Sequence, residues 1–276
     1  MNTLKRYETY LLDLDGVVYR GDTVLPGARE FIAWLVASGH AFRFITNNSM
    51  TSPAAVAAKL RRLNIPVEDS TVVTASNAAV NLLAHRWPGG RAWVVGLDPI
   101  REMVAATGMH VLNRTRSDAP DAPDAGPQTA QVVLVGLDRA MTYEGLRLAV
   151  RAVLAGAVLI AVNRDTVLPV EDGFDPGCGA LLAAIETASG QVAEIVGKPA
   201  PGILLEALIT LGAHPSTAVM IGDAIEMDIT AGFNAGIDTI LVLSGNTSAE
   251  RAATASPAPT LVLRDLADVL RAAQEA

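Results

Sequence analysis

The sequence predicts an α/β fold, with a parallel sheet covered by helices and a smaller α/β domain inserted into it. Short apolar, β-branched runs alternate with segments of helical spacing along most of the 276 residues. This alternation is typical of βαβ units. Four short polar strings also follow apolar runs, and the stretch 78–190 contains none of them. We therefore assign 1–77 and 191–276 to one core domain and 78–190 to an inserted domain.

The first part of the core alternates strand, helix, strand and helix. Strands are predicted at 10–14 and 41–45, with a helix at 27–38 between them. Ser52 and Pro53 are typical of a helix start, because a capping hydroxyl precedes a proline at the first helical position. Parallel strands bring their carboxyl ends to one edge of the sheet, where open α/β sheets bind ligands.

The same alternation continues to the end of the chain. In the insert, the pattern predicts strands at 91–96, 131–135 and 157–162 and helices at 100–106, 143–155 and 180–189. In the rest of the core, it predicts strands at 192–196, 218–221, 239–243 and 260–263 and helices at 202–211, 227–235 and 266–273. The stretch 117–127 is rich in Asp and Pro and has no hydrophobic period, so we expect an exposed loop.

Composition argues against several classes of protein. The 21 basic and 29 acidic residues give a net charge of −8, and the basic residues are scattered, which disfavours nucleic-acid binding. No apolar run approaches the roughly 20 residues of a membrane helix. The N-terminus lacks the pattern of a signal peptide, so we expect a cytoplasmic protein. The single cysteine, Cys178, follows Pro176-Gly177 and is interpreted as a small residue in a tight loop.

The first polar string is Asp13-Leu14-Asp15-Gly16, at the end of a predicted strand. Residues i and i+2 of a strand point to the same side, so both carboxylates can face one small volume. One can attack phosphorus while the other handles protons. Taken alone, the string would more often mark a simple turn. The three other strings favour the functional interpretation.

The other strings supply complementary groups. Thr46 ends a strand and is followed by Asn47 and Asn48, and a hydroxyl beside exposed backbone amides can hold phosphate oxygens. Lys198 lies between Gly197 and Pro199 and would offset phosphate charge. Each of these has a plain structural alternative, a strand-ending turn for the Asn residues and a solvated surface residue for Lys198.

The last string is Gly222-Asp223, with Asp228 five residues later. Four carboxylates meeting a phosphate dianion would repel one another, whereas Mg²⁺ and Lys198 restore positive charge. Oxygen ligands suit this hard cation, and the four histidines show no spacing typical of a zinc site. The sequence therefore predicts Mg²⁺ as the cofactor. As an acid near a helix start, Asp228 alone could be merely structural.

With these four strings in this order, the chain resembles the haloacid dehalogenase superfamily of aspartyl-phosphate-forming hydrolases. It is most similar to subfamily IIA, the NagD-like or 4-nitrophenylphosphatase-like group, which has a Rossmann-like core and a C2-type cap. Residues of the insert share the resemblance, namely Val135–Arg139, 163–165 and 176–179. Two positions depart from the family pattern, because Ala224 and Met227 replace an arginine and a threonine that are common there.

The resemblance implies a role for each string. Asp13 is then the nucleophile and Asp15 the general acid and base, while Thr46 and Lys198 bind the transferring phosphate. Mg²⁺ is held by Asp13, the carbonyl of Asp15 and Asp223, with Asp228 positioning its waters. The cap would cover the site and select the leaving group. The candidate contacts to phosphate or substrate are Leu14, Gly16, Asn47, Asn48, Asp138, Arg139, Asn163 and Asp165. For Asp138, Arg139, Asn163 and Asp165, a role in caps and turns is an equal alternative.

The predicted function is a Mg²⁺-dependent phosphatase for small phosphomonoesters that acts through an aspartyl phosphate. Sugar phosphates, glycerol phosphate, nucleotides, pyridoxal phosphate and 4-nitrophenyl phosphate are all compatible substrates. A phosphosugar mutase and a non-catalytic metabolite-binding protein on the same fold remain as alternatives. A dehalogenase is disfavoured by Asp15, since halide needs no acid to leave. The expected partner is a small phosphorylated metabolite, with no nucleic acid and no membrane, and the resemblance is compatible with a homodimer through the cap.

Overall fold

A computed structural model of the chain describes residues 3–48, 52–113, 126–170 and 173–275. The residues form two compact units, one of 1–46, 51–74 and 198–276 and the other of 47–50 and 75–197. The longer stretch of the second unit is 75–197, whereas the sequence placed the insert at 78–190. The assignment of these units to a core and a cap stays a prediction.

The first unit is built on a six-stranded sheet in which every neighbouring pair is parallel. From one edge to the other, its strands are Leu261–Leu263, Asp238–Val242, Ala218–Gly222, Thr9–Leu12, Ala41–Thr46 and Val72–Thr74. Its α-helices are Ala28–Ala37, Pro53–Arg62, Gly202–Leu211, Thr230–Ala235, Ala249–Ala253 and Leu266–Gln274. Short 3₁₀ turns occupy Thr3–Arg6, Asp69–Thr71 and Pro215–Thr217. The α/β class with a parallel sheet is confirmed.

Apolar side chains that recur at helical spacing hold the first unit together. The helix Ala28–Ala37 buries Phe31, Ile32 and Leu35, and burial of each such side chain contributes about 1.5–3 kcal/mol. Phe31 meets Tyr10 of the central strand edge-on, with ring centroids 5.7 Å apart. Pro53 begins the next helix, and the Ser52 hydroxyl accepts a hydrogen bond from the Ala55 amide, as the sequence predicts.

The second unit has its own parallel sheet. The order of its five strands is Glu194–Ile195, Val158–Ala161, Val132–Val135, Arg91–Val95 and His110–Val111. Its helices are Ala75–Arg86, Asp98–Ala106, Tyr143–Leu154 and Cys178–Ser189, with a 3₁₀ turn at Pro127–Thr129. Trp93, Val133 and Leu182 lie in one buried cluster that joins sheet and helices. This unit therefore has a hydrophobic core separate from that of the first.

Several local expectations differ from the structure. The strand before Lys198, Glu194–Ile195, pairs with Val158–Ala161 in the five-stranded sheet and not with the six-stranded one. The expectation that all four strings follow strands of one sheet is therefore wrong for Lys198. Most of the loop expected at 117–127 lies outside the described residues, and Pro127 is buried at the start of a 3₁₀ turn.

Two antiparallel hairpins were not expected from the sequence. One joins Tyr19–Arg20 to Thr23–Val24, and the other joins Val167–Val170 to Gly173–Pro176. Cys178 begins the helix Cys178–Ser189 and is buried, where the sequence suggested a tight loop. In the described part of the chain, no helix is long and apolar enough to span a membrane.

Candidate active site

Three neighbouring strands of the six-stranded sheet end in candidate residues. Asp13 directly follows Thr9–Leu12, Thr46 is the last residue of Ala41–Thr46, and Asp223 directly follows Ala218–Gly222. The central strand pairs with both of the others, so the three residues lie at the same end of adjacent strands. The fold thus concentrates polar groups at the edge where open α/β sheets bind their ligands.

Lys198 joins two of the carboxylates. Its Nζ lies 2.5 Å from Asp13 Oδ1 and 2.6 Å from Asp228 Oδ1, and its side chain is 4% exposed. Burial lowers the pKa of Lys198, but Asp13 and Asp228 outweigh that effect and raise the pKa above its ordinary value. Burial raises the pKa of Asp13, against the opposing charge of Lys198. Lys198 therefore keeps its positive charge, which favours the ionised form of Asp13 against the effect of burial.

Asp228 lies in a π-helical turn, Ile225–Ile229, and the α-helix begins only at Thr230. The sequence predicted one helix over 227–235, which is wrong at its start. Asp228 Oδ2 accepts hydrogen bonds from the backbone amides of Asp223 at 3.1 Å and Ala224 at 3.0 Å. These bonds draw the side chain back over the start of the turn, and π-helical turns are frequent at functional sites.

Asp223 is buried and accepts two hydrogen bonds from Asn246. Its Oδ2 accepts from the Asn246 backbone amide at 2.6 Å and from Asn246 Nδ2 at 2.8 Å. Burial raises the pKa of Asp223, and these hydrogen bonds act in the other direction. Two glycines allow the close packing, since a Cβ on Gly16 or Gly245 would lie 2.4 or 1.9 Å from Asp223 Oδ2.

The carboxylates fit a hard divalent cation. Asp13, Asp223 and Asp228 each offer an oxygen, and these oxygens lie within 4.8 Å of one another. All three donors are carboxylate oxygens, the type that Mg²⁺ prefers. Lys198 supplies one positive charge against the three carboxylates, so the cluster keeps an excess of negative charge that a divalent cation would neutralise.

Asp15 faces solvent beside this cluster. The residue is exposed, in contrast to the buried Leu14 and Gly16 on either side of it. Partial burial of its carboxyl raises the pKa, opposed by the charges of Lys59 and Lys198. The chain turns at Gly16, whose φ of 83° is a conformation that favours glycine, and the Gly16 amide donates to the Tyr19 carbonyl at 2.8 Å. A carboxyl with a raised pKa and access to water is suited to proton transfer.

The other candidate residues in these strings differ in their burial and in their contacts. Thr46 is buried at the strand end. The side chain of Leu14 lies in the hydrophobic core, so any contact of this residue with phosphate would be through its backbone. Asn47 and Asn48 group with the second unit, where the Asn47 carbonyl accepts a hydrogen bond from Asn163 Nδ2 at 3.2 Å.

The candidates of the insert make contacts within the second unit. Asp138 Oδ1 accepts from the Ala140 amide at 2.9 Å, and Arg139 pairs with Asp175 at 3.3 Å. Asn163 is buried, and its Oδ1 accepts from the Asp165 amide at 3.2 Å. These contacts are those of turns and ion pairs. The roles of Asp138, Arg139, Asn163 and Asp165 in substrate binding stay predictions.

Sequence reasoning missed Ser244, Gly245 and Asn246. They follow the strand Asp238–Val242, which pairs with Ala218–Gly222 next to the site. Ser244 Oγ donates to the Gly16 carbonyl at 2.7 Å, and Asn246 holds Asp223. The signal was present, because here too a polar string follows an apolar strand.

The chain is similar in sequence to known hydrolases. A family model described as haloacid dehalogenase-like hydrolase matches residues 10–110, and a second, HAD-hydrolase-like model matches 195–269. A curated acid sugar phosphatase of Staphylococcus aureus is 33% identical over 267 residues, which is 97% of this chain and 98% of that protein. The chain belongs to the haloacid dehalogenase-like hydrolase family. The resemblance inferred from the four polar strings is therefore confirmed.

Solved structures of this family share the fold. A mutant of the thermostable p-nitrophenylphosphatase from Bacillus stearothermophilus has a TM-score of 0.84 and 36% identity, covering 95% of this chain and 98% of its own. NagD from Escherichia coli K-12 has a TM-score of 0.83 and 31% identity, again covering 95% and 98%. The predictions that this chain has a Rossmann-like core and is NagD-like are thus both confirmed.

Proposed function

We propose that this member of the haloacid dehalogenase-like family is a Mg²⁺-dependent phosphatase of small phosphomonoesters. The observation that carries the proposal is the buried Lys198, which bonds Asp13 and Asp228 within a cluster of three carboxylates. Sugar phosphates are the first substrate class to test, because the curated Staphylococcus aureus relative is named an acid sugar phosphatase. 4-Nitrophenyl phosphate provides a convenient chromogenic substrate.

Asp13 and Asp15 perform the two covalent steps. An oxygen of Asp13 attacks phosphorus, the bond from phosphorus to the leaving oxygen breaks, and Asp15 gives that oxygen its proton. Asp15 then takes a proton from water, which attacks the same phosphorus and releases phosphate and the Asp13 carboxylate. The exposed position of Asp15 and its raised pKa suit both proton transfers.

The remaining groups stabilise charge. Lys198 and Thr46 bind the transferring phosphate, and the raised pKa of Lys198 keeps its ammonium charged through the working pH range. Asp13, Asp223 and the backbone carbonyl of Asp15 would hold Mg²⁺, and Asp228, which also offers an oxygen within the cluster, would position its waters. When bound, Mg²⁺ supplies positive charge that reduces the repulsion between the carboxylates and the phosphate dianion.

The test is phosphate release from a panel of sugar phosphates, glycerol phosphate, nucleotides, pyridoxal phosphate and 4-nitrophenyl phosphate, with Mg²⁺ and with EDTA. Asp13→Asn provides the blank, because the amide keeps the shape of the side chain but is a poor nucleophile. We expect turnover to fall at least about 10³-fold in this variant and in EDTA, with circular dichroism unchanged. Wild-type turnover in Asp13→Asn would overturn the mechanism.

The Asp15→Asn variant separates proton transfer from attack. It retains the nucleophile, so we expect mass spectrometry of the denatured variant to show one added phosphoryl group after reaction with 4-nitrophenyl phosphate, whose leaving group needs little acid help. Absence of the adduct would contradict the role of Asp15 in hydrolysing the aspartyl phosphate. Isomerised sugar phosphate without net release would favour the mutase. Tight ligand binding with no turnover would favour a binding protein.

Two expectations from the sequence accompany this proposal. The cytoplasm is the compartment proposed for the enzyme, and a homodimer is its proposed assembly. Light scattering at micromolar concentration measures the assembly directly, and a monomer mass would overturn the dimer.

A further inference from the structure

We propose that Asn246 is a positioning residue that fixes Asp223 for cation binding, supported by Ser244 and Gly245 of the same loop. The inference rests on the proposed function, since it takes Asp223 to be a ligand of the cation. Asn246 touches neither phosphate nor cation in this proposal and acts only through Asp223.

Both donors of Asn246 converge on a single oxygen. Its backbone amide lies 2.6 Å and its Nδ2 2.8 Å from Asp223 Oδ2. Hydrogen bonds to a charged carboxylate are stronger than those between neutral groups, and two of them fix the rotation of the carboxylate. The other oxygen, Oδ1, accepts no hydrogen bond from Asn246 and would be the one left to bind the cation. Residues that orient metal ligands in this way commonly change metal affinity when they are replaced.

The loop that carries Asn246 is tied to the turn that follows Asp13. Ser244 Oγ donates to the Gly16 carbonyl at 2.7 Å, and Arg20 donates to the Ser244 carbonyl at 2.8 Å. The loop therefore contacts the segments that carry both Asp13 and Asp223. A displacement of the loop would shift these two carboxylates relative to each other.

The packing leaves the loop little freedom. A Cβ built on Gly245 would lie 1.9 Å from Asp223 Oδ2 and 2.4 Å from Asp223 Cγ. The backbone at Gly245 thus lies directly against the carboxylate, on the same oxygen that Asn246 holds. Two consecutive residues of this loop, Gly245 and Asn246, therefore lie against this oxygen of Asp223.

The experiment compares Asn246→Ala and Asn246→Leu with wild type. Asn246 is exposed, so removal of its side chain opens no cavity in the core. Leu has nearly the same size without the donor, which separates the hydrogen bond from the space that the side chain fills. Thr247→Val is the matched control, because Thr247 is buried in the same loop and its hydroxyl has no hydrogen-bond partner among the described residues.

The direct readout is the dissociation constant of Mg²⁺, measured by isothermal titration calorimetry without substrate. We expect it to rise about 10-fold in Asn246→Ala and Asn246→Leu and to stay at the wild-type value in Thr247→Val. In the phosphatase assay, the Mg²⁺ concentration for half-maximal rate should rise by the same factor. The kcat at saturating Mg²⁺ should fall by less than the affinity does. Asn246→Gln, which keeps an amide donor on a longer arm, should recover part of the affinity.

The outcomes separate this inference from the proposed function. Wild-type Mg²⁺ affinity in both Asn246 variants, with or without a lower melting temperature, would show a merely structural residue and overturn the positioning role. The phosphatase would stand in that case. If wild type itself bound no Mg²⁺ and released no phosphate, the proposed function would fail and this inference with it.

Discussion

Lys198 Nζ donates a hydrogen bond to Asp13 Oδ1 at 2.5 Å, although the two residues are 185 positions apart in the chain. The same ammonium donates to Asp228 Oδ1 at 2.6 Å. Removing a buried ammonium that bonds two carboxylates is strongly destabilising, because both carboxylates would stay in a poorly hydrated place without a cation. Lys198 therefore contributes to the stability of the site as well as to its chemistry.

Lys198→Met should destabilise the protein at neutral pH. We expect a loss of about 3–5 kcal/mol in the free energy of unfolding at pH 7.5 in EDTA, measured by urea titration. Without the ammonium, the pKa of Asp13, which burial already raises, rises further in the folded state. Protonation of Asp13 then restores stability as the pH falls through that pKa, so the loss of stability should be smaller at pH 5 than at pH 7.5.

Two controls sharpen this test. Adding Asp13→Asn to Lys198→Met removes one of the two carboxylates left without a cation and should recover part of the loss at pH 7.5. Mg²⁺ should likewise stabilise Lys198→Met, because it substitutes for the missing charge. The loss of stability from Lys198→Met could instead be equal at both pH values, and equal with and without Asp13→Asn. That result would mean that lost packing, not lost charge, explains the effect.

Gly16→Ala should lower kcat by more than the strain of its left-handed backbone explains. Gly16 has a φ of 83°, and its added Cβ would lie 2.4 Å from Asp223 Oδ2. Gly39→Ala is the matched control, because Gly39 has a φ of 71° and no atom within 4 Å of the built Cβ. Both variants should lose about 1–2 kcal/mol of stability from the left-handed backbone. Only Gly16→Ala should lose activity, by about 10²-fold in kcat, through displacement of Asp223.

The measurements are kcat for 4-nitrophenyl phosphate at saturating Mg²⁺ and the urea midpoint of each variant. Equal activity in Gly16→Ala and Gly39→Ala would contradict the close approach of Gly16 to Asp223.

The strings that carry the site were predictable because their signals are local. An apolar run followed by Asp13-Leu14-Asp15-Gly16 needs only its own neighbours to be interpreted, and so does Gly222-Asp223. The sheet to which a two-residue strand belongs depends on distant partners. Glu194–Ile195 joins the second sheet, which nothing in its own sequence indicates.

Other elements were missed for different physical reasons. The helix Ala75–Arg86 buries Ala75, Ser76, Ala78 and Ala79, and these small residues give little hydrophobic periodicity. The start of the helix expected at 227–235 is a π-helical turn, in which the Ile229 amide donates to the Ala224 carbonyl and Asp228 accepts from the amides of Asp223 and Ala224. Asn246 was missed because the carboxylate to which it donates hydrogen bonds, Asp223, lies in another loop.

Asp265 should stabilise the last helix independently of catalysis. Its Oδ1 accepts from the amides of Ala267 at 2.9 Å and Asp268 at 3.1 Å, at the start of Leu266–Gln274. Asp265→Ala should cost about 1 kcal/mol of unfolding free energy, whereas Asp265→Asn keeps an accepting oxygen and should cost a few tenths. Urea titration measures both, and kcat should be unchanged in each. Equal losses in the two variants would contradict the capping role.

Cys178 should be chemically inert in the folded protein. Its thiol is buried, with Sγ 3.5 Å from the Val135 carbonyl, and burial raises its pKa to about 11. At pH 8 the thiolate fraction is then only about 0.1%, against about 25% for an ordinary cysteine. Because the thiolate is the reactive form, the native protein should react with a disulfide reagent at least about 100-fold more slowly than the protein unfolded in urea.

The pH dependence of this reaction tests the cause. Since the raised pKa leaves the thiol protonated, the native rate should still be rising at pH 10, whereas the rate of the unfolded protein should level off near its ordinary pKa of about 8.5. Cys178→Ala should keep the kcat of wild type, because neither covalent step uses this thiol. A contrary result would be fast labelling of the native protein that levels off near pH 8, together with loss of turnover in Cys178→Ala. That result would mean that Cys178 is a reactive thiolate on which activity depends.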